Sequence, residues 1–159
     1  MVRKTKTSRL ILCNSFFSLA LLFLSYNAFS QSFEFSNSHL ALHVKDVSVS
    51  ADFYSKVLHI TEMETPEGIP STTRWFQLAD QSEIHLIESK ELVKLPKGIH
   101  LSIATNHLKE LMKHLKSFNI HFENWWGEAT VTNMRGDNVE QIYFQDPDGY
   151  WIEVNDDVK

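Results

Sequence analysis

The chain has 159 residues, which is enough for one domain with its own core, and its formal net charge is −5. An acidic chain repels a phosphate backbone, so we do not expect nucleic acid as a partner. The single cysteine, Cys13, lies in an N-terminal apolar run. The rest of the chain therefore offers no thiol for nucleophilic catalysis and no disulfide.

The first thirty residues have the layout of a secretory signal peptide. Four basic residues precede a mostly apolar stretch from Leu10 to Leu24, and Ala28-Phe29-Ser30 has the small-x-small pattern of a cleavage site. The alternative is an uncleaved membrane anchor, for which the interrupted apolar run is short. We expect cleavage after Ser30 and a periplasmic or secreted protein that does not associate with the membrane. The remaining 129 residues contain 11 basic and 20 acidic residues, so their formal charge is −9.

Residues 38–90 contain one predicted helix and four predicted strands, after a flexible lead-in over 31–37. Apolar side chains alternate with histidine and alanine from Leu40 to Val44, which is typical of a half-buried strand. Asp46 is a suitable N-cap for a helix over 47–58, whose apolar residues recur at helical spacing. The predicted strands of this half are 38–45, 60–64, 72–79 and 83–88.

The second half, residues 98–155, follows a connection around Pro96 and has the same order of elements. A helix is predicted to begin at a cap on Thr105 or Asn106 and to end near Phe118. A loop with room for a short strand follows over 125–137. The predicted strands of this half are 100–104, 120–123, 139–145 and 150–154.

The two halves form an internal repeat. His39-Leu40-Ala41-Leu42 aligns with His100-Leu101-Ser102-Ile103 at an offset of 61 residues, and Ile84-His85-Leu86 aligns with Ile152-Glu153-Val154 at an offset of 68. The difference of seven residues matches the longer loop of the second half. We therefore predict a single α+β domain over 38–155, built from two βαβββ modules.

A tight turn joins the last two predicted strands. In Asp146-Pro147-Asp148-Gly149, the proline restricts φ, the aspartates can bond nearby backbone groups, and the glycine can adopt positive φ. Residues rich in aromatic and β-branched side chains lie on both sides of this turn, which predicts a β-hairpin.

Four potential metal ligands occupy equivalent places in the repeat. His39 and His100 each open the first strand of a module, and His85 and Glu153 each lie in the middle of its last strand. Imidazole and carboxylate groups bind zinc, nickel, iron or manganese. A single histidine on a strand is more often an ordinary polar residue, so it is the equivalence of the four positions that favours a metal site. If the two sheets face each other, all four side chains can converge on one ion.

Four segments resemble the vicinal-oxygen-chelate superfamily, the group of glyoxalase I, extradiol dioxygenases, fosfomycin-resistance enzymes, methylmalonyl-CoA epimerase and bleomycin-binding proteins. They are HLALHVKDV from His39, ADFYSKVL from Ala51, GIHLSI from Gly98 and FQDPDGYWIEV from Phe144. The resemblance covers nearly all of residues 38–155. It implies that the paired βαβββ modules form an eight-stranded curved mixed sheet around a metal cleft, with the ligands at His39, His85, His100 and Glu153.

The chain departs from glyoxalase I, which it resembles most at the first and last segments. Glyoxalase I has a glutamate where this chain has His85, an arginine for glutathione where it has His43, and an asparagine where it has Ser89. Glutathione is therefore not an expected substrate. A dioxygenase with a two-histidine, one-carboxylate iron site needs open coordination positions for oxygen chemistry. A fourth protein ligand at His85 would occupy one of these positions, so a dioxygenase is the less favoured alternative.

Several other residues are candidates for roles at the cleft. His43 shares a strand face with His39 and is either an acid–base group or a polar residue at the rim or at a subunit contact. Arg74 and Arg135 are candidate anchors for an anionic substrate. Trp151 shares a face with Glu153, and Trp125 and Trp126 lie on the long loop, so they are candidates for an apolar pocket wall.

The resemblance favours a metal-dependent lyase or isomerase of glyoxalase type, acting on a small oxygenated substrate. One divalent ion would act as a Lewis acid on an enolate-like oxyanion, and Glu153 would serve as both ligand and base. A module that binds a small molecule without chemistry and a purely structural metal site are the alternatives. Relatives commonly form dimers, so we expect a homodimer whose metal site lies within one chain or is shared between two.

Overall fold

The computed structural model describes residues 33–158. The predicted signal peptide lies outside these residues, so export and cleavage after Ser30 stay predictions. Among residues 33–158, no helix combines the length and the apolar composition that crossing a bilayer requires. The part of the chain that begins at Asn37 forms one compact unit.

The first module contains strand β1 (His39–Val44), helix α1 (Val47–Asp52) and strands β2 (Thr61–Met63), β3 (Thr73–Gln77) and β4 (Glu83–Glu88). Helix α1 continues as a π-helical segment, Phe53–Val57. The strands form a sheet in the order β1-β4-β3-β2, in which β1 and β4 are parallel and the other neighbours are antiparallel. The predicted N-cap is confirmed, because the Asp46 carboxylate accepts hydrogen bonds from the backbone of Ser48 and Val49.

The second module contains strand β5 (His100–Ala104), helix α2 (Leu108–Ser117) and strands β6 (Phe122–Glu123), β7 (Asn133–Met134), β8 (Glu140–Gln145) and β9 (Trp151–Asn155). Its sheet has the order β5-β9-β8-β6, with β5 and β9 parallel, and the short β7 also pairs with β8. The order of the long strands repeats that of the first module. The prediction of an α+β fold from two βαβββ modules is confirmed.

Helix α2 begins later than predicted, because Thr105 and Asn106 do not cap it. Its N-cap position is His107, which makes no side-chain capping bond. Thr105 instead extends the sheet, since its backbone N–H donates to Asn155 O, and its hydroxyl accepts from the His107 N–H in a local turn. Thr105, which the sequence pattern predicted as a possible helix cap, therefore continues the pairing of β5 with β9 instead.

Both modules bury their helix-side faces in one core. On β1, Leu42 and Val44 face this core, and on β9 Ile152 and Val154 do so. The ring of Phe53, from the π-helical segment, lies 6.4 Å from that of Phe144 in the other module. The shared core explains why the described strands form two sheets rather than the single eight-stranded sheet that we expected. The opposite face of each sheet is left to the polar residues that alternate with the core residues.

The predicted hairpin turn is confirmed, with Gly149 at φ +88°, but it also joins the two modules. The Asp148 carboxylate accepts from the backbone N–H of Lys45 at 2.7 Å and from the Ser50 hydroxyl at 2.6 Å. The buried Asp146 accepts from the Tyr54 hydroxyl at 3.0 Å. The aspartates of the turn thus bind the first module as well as the local backbone.

Candidate functional site

His39 and His85 lie together on the polar face of the first sheet. Strands β1 and β4 are neighbours, and the two imidazole rings stack with centroids 4.3 Å apart and an interplanar angle of 10°. Trp75 lies directly opposite His85 on β3 and stacks on that ring at 4.0 Å and 3°. Because β4 lies between β1 and β3, the three rings form a column with His85 in the middle. This column restricts the orientation of His85.

Glu83 also binds His85. Its Oε2 lies 2.7 Å from His85 Nε2, and the His85 side chain is almost completely buried. Glu83 is therefore part of the site rather than of its rim. Binding of a metal by His85 Nε2 requires that Glu83 give up this hydrogen bond.

His100 and Glu153 form a second pair on the polar face of the second sheet, with His100 Nε2 3.3 Å from Glu153 Oε2. The His100 Nδ1–H donates to the carbonyl of Lys97 at 2.7 Å. Since a carbonyl can only accept, this bond places a proton on Nδ1 and leaves Nε2, which lies next to Glu153, as the nitrogen that could bind a metal. Two ligands of one zinc-like ion at about 2.0–2.2 Å are about 3 Å apart. The spacing and the tautomer of this pair therefore fit a divalent metal.

The Glu153 carboxylate is buried and is held by several donors. Its Oε2 accepts from the Tyr143 hydroxyl at 2.5 Å, and its Oε1 accepts from Asn155 Nδ2 at 2.8 Å and from the Ser102 hydroxyl at 3.0 Å. Burial raises the pKa of Glu153, but the hydrogen bonds and the nearby His100 lower it further than burial raises it. The net pKa is lowered, so Glu153 is a carboxylate that is held in a fixed orientation and is ionised at neutral pH.

The other candidates have different surroundings. His43 lies on the same face of β1 as His39, but its Nδ1–H donates to the carbonyl of Glu91 in the linker between the modules. Arg135 Nη1 lies 3.9 Å from Glu153 Oε1 and also pairs with Asp137. Arg74 pairs with Glu62, and its alternation with Trp75 on β3 places it on the face opposite to His85. Arg135 therefore lies at the site, and Arg74 does not.

The four predicted ligands are thus brought together as two pairs. Among residues 33–158, no group of three or more histidine, cysteine, aspartate or glutamate side chains has the arrangement of a metal site. The sequence analysis missed Ser102, Tyr143 and Asn155 as partners of Glu153. Alternation could have found Ser102 and Asn155, because each lies two residues beyond a predicted ligand on the same face. No local pattern indicates the contact between Lys97 and His100.

Comparison with known proteins places this geometry in context. The chain is 29% identical over 126 residues to "Glyoxylase I 4" of Arabidopsis thaliana, which covers 75% of this chain and 69% of the plant protein. A solved glyoxalase/dioxygenase from Nostoc punctiforme has a TM-score of 0.60 and 20% identity, covering 81% of this chain and 99% of the other. An integron cassette protein from V. cholerae has a TM-score of 0.61 and 22% identity, covering 80% and 99%.

The two solved structures share the fold, and at such low identities they carry no information about the reaction. The family profile is more informative, since it covers both modules and all four predicted ligand positions. Because the profile of the glyoxalase/bleomycin resistance protein/dioxygenase superfamily matches residues 37–154, the chain belongs to that superfamily.

Proposed function

We propose that this protein is a divalent-metal-dependent lyase or isomerase of glyoxalase type that acts on a small oxygenated substrate. The observation that carries the proposal is the pair formed by His100 Nε2 and Glu153 Oε2, 3.3 Å apart, with the histidine proton held on the other ring nitrogen. His39, His85, His100 and Glu153 would hold the ion. A bound divalent metal would supply Lewis-acid stabilisation of an enolate-like oxyanion.

Glu153 is the proposed base, because a buried, ionised carboxylate can take a proton from an acidic C–H group and return it. Tyr143, Ser102 and Asn155 hold its two oxygens in place, so little reorganisation is needed when the proton moves. His43 is a second candidate acid–base group. Because its Nδ1 is the donor to Glu91 O, its Nε2 is the basic nitrogen.

We propose a homodimer in which each metal site is shared between two chains. The two ligand pairs lie on separate sheets of one chain, and β1 and β5 each have one edge unpaired within residues 33–158. A second copy can bring the polar face of its first sheet to the polar face of the second sheet. This arrangement completes the four-ligand set without disturbing the shared core.

Metal content tests the proposal most directly. The protein would be expressed without affinity-tag histidines and analysed by mass spectrometry, as wild type and as His100→Ala. About one divalent ion per site in the wild type, lost in the variant, supports the metal centre. Absence of metal in both would leave the binding module as the better candidate.

Mixing of two variants tests whether the site is shared. His39→Ala removes a ligand from the first module, and His100→Ala removes one from the second. When the two inactive proteins are mixed and allowed to exchange subunits, a shared site restores about a quarter of the wild-type sites, because half of the dimers are mixed and each has one complete site. A site within one chain restores none. Light scattering that shows only monomer would also exclude the shared site.

A module that sequesters a small molecule is the second candidate function. The ring column of Trp75, His85 and His39 and the half-exposed Trp125 favour it, because they provide aromatic surface beside the ligand pairs. Removal of metal with EDTA separates the two functions, since sequestration on an aromatic surface survives chelation and metal-dependent turnover does not.

The proposal also places the protein in the periplasm or outside the cell. Its support is the pattern of the first thirty residues. N-terminal sequencing of the protein recovered from the exported fraction tests cleavage after Ser30. A mature N-terminus at Met1 would favour the membrane-anchor alternative.

A further inference from the structure

The loop over residues 124–134, here called the tryptophan loop, exposes large apolar side chains close to the ligand pair of the second module. Trp125 is 45% exposed and Trp126 is 70% exposed. Two neighbouring tryptophans at the surface contribute little to the core, and exposed aromatic surface of this kind commonly marks a recognition site.

Buried polar groups hold the tryptophan loop in place. Asn124 is almost completely buried, and its Oδ1 accepts from the backbone N–H groups of Trp126 and Glu128. Asn133 Oδ1 accepts from the N–H of Trp125 at 2.8 Å. Because both tryptophans are fixed through their backbone, their rings need no local folding to bind a ligand.

Lys97 connects this loop to the candidate metal centre. Its ammonium donates to the carbonyls of Asn124 and Trp125 at 3.0 and 3.2 Å, and it also pairs with Glu123. The carbonyl of the same residue accepts from His100 Nδ1. One residue thus positions both the loop and a predicted metal ligand.

Aromatic rings continue from the loop to Glu153. The ring of Trp125 meets that of Tyr143 edge-on, with centroids 5.6 Å apart, and the Tyr143 hydroxyl binds Glu153. The Lys97 ammonium lies 4.9 Å from the centroid of the Trp151 ring and 5.6 Å from that of Tyr143. Trp125, Tyr143 and Trp151 therefore form an aromatic wall beside the His100–Glu153 pair.

We infer that Trp125 is the specificity-determining residue of this site and that the substrate carries a planar ring next to its oxygen atoms. This inference rests on the proposed function, since it places the oxygens at the metal ion that His100 and Glu153 would help to hold. A ring packed on the exposed part of Trp125 is stabilised by burial of apolar area and by the interaction between the two aromatic rings. An alkyl group is stabilised by burial alone. The ligand class is that of aryl-substituted 2-hydroxy and 2-oxo acids or aldehydes.

Mandelate and lactate are matched probes for this inference, because both are 2-hydroxy acids and they differ in phenyl against methyl. Their dissociation constants would be measured by isothermal titration calorimetry on zinc-supplemented protein, produced from the full sequence so that the host processes it. We expect wild type to bind mandelate at least about tenfold more tightly than lactate, because phenyl buries more apolar area than methyl and also pairs with the indole ring. Trp125→Ala should lower this preference by about two- to tenfold, the contribution of one aromatic pair, and Trp125→Phe should retain most of it.

Trp126→Ala is the control, because it removes an equal ring from the same loop without touching Tyr143. Equal binding of the two probes to wild type, no binding of either, or equal losses in Trp125→Ala and Trp126→Ala would overturn the inference. So would a shift of Trp125→Ala from dimer to monomer, which would assign the ring to a subunit interface.

Metal content separates this inference from the proposed function. Trp125→Ala should keep the wild-type metal content, because Trp125 is not a ligand. If wild type binds metal but shows no ring preference, this inference fails and the proposed metal centre stands. If wild type binds no metal but shows a ring preference that depends on Trp125, the proposed reaction fails and the aromatic specificity stands.

Discussion

The Ser50 hydroxyl of α1 donates a 2.6 Å hydrogen bond to Asp148, a residue of the hairpin turn that lies 98 positions later in the chain. The other carboxylate oxygen of Asp148 accepts from the backbone N–H of Lys45. Both bonds cross from one module to the other. The turn therefore positions β9, which carries Glu153, relative to α1, which follows the strand of His39.

Substitution of Asp148 by alanine should destabilise the fold. The substitution leaves the buried Ser50 hydroxyl and the Lys45 N–H without this acceptor. A hydrogen bond to a charged group contributes about 1.5–3 kcal/mol to stability. We expect the free energy of unfolding in urea to fall by about 2 kcal/mol. Asp52→Ala is the matched control, because its ion pair with Lys56 is exposed and should contribute about 0.5 kcal/mol or less. Equal effects of the two substitutions would contradict the role of Asp148 as a link between modules.

Replacement of Glu153 by glutamine should abolish turnover and leave the fold intact. Glutamine keeps the shape of the side chain and can still accept from Tyr143, but it cannot take a proton, and a general base contributes about 10²–10⁴-fold to rate. The measurement is turnover of the best substrate found in a screen, together with a thermal melt. Glu140→Gln on β8 is the control, since Glu140 faces Thr132 and not the ligand pair. Unchanged turnover in Glu153→Gln would remove Glu153 from the mechanism.

Trp75→Leu should weaken metal binding without removing a ligand. The indole ring stacks on His85 at 4.0 Å, and partners that orient a ligating histidine commonly change metal affinity about 10–100-fold. We expect a loss of about tenfold in zinc affinity, measured by competition with a chromophoric chelator, and partial recovery in Trp75→Phe. Trp126→Leu, at an exposed position outside the ring column, should leave the affinity unchanged. An equal affinity in Trp75→Leu and wild type would show that the column does not orient His85.

Glu123 should make stability depend on pH in the acid range. The hydrogen bond from Lys97 lowers the pKa of Glu123, and this effect together with His121 outweighs burial, which raises it. Because the folded pKa lies below the unfolded value of about 4.3, the contribution to stability is present above that value and is lost as pH falls through the folded pKa. The free energy of unfolding, measured in urea between pH 6 and pH 3, should therefore fall less steeply in Glu123→Gln than in wild type. Parallel curves for the two proteins would contradict this assignment.

Alternation and repetition along the chain were sufficient to predict the fold and the face on which each candidate ligand lies. Strand periodicity is local, so Leu42 and Val44 identify the buried face of β1 and place His39 on the other face without knowledge of any contact. The repeat then indicates two similar modules, and His85 and Glu153 follow as equivalent positions. The structure agrees with these inferences, because each depends on residues that are close in sequence.

The arrangement of the modules was decided by tertiary structure alone. Both sheets bury their helix-side faces in one core, which separates the His39–His85 pair from the His100–Glu153 pair. The alternation of apolar and polar residues along a strand does not encode which apolar faces pack against each other. The carbonyl of Lys97 that selects the tautomer of His100 and the bonds from Asp148 to the first module depend in the same way on how the chain folds back on itself. The sequence by itself therefore determined the fold class and the candidate residues, and only the packing of the two modules decided which of those residues can act together.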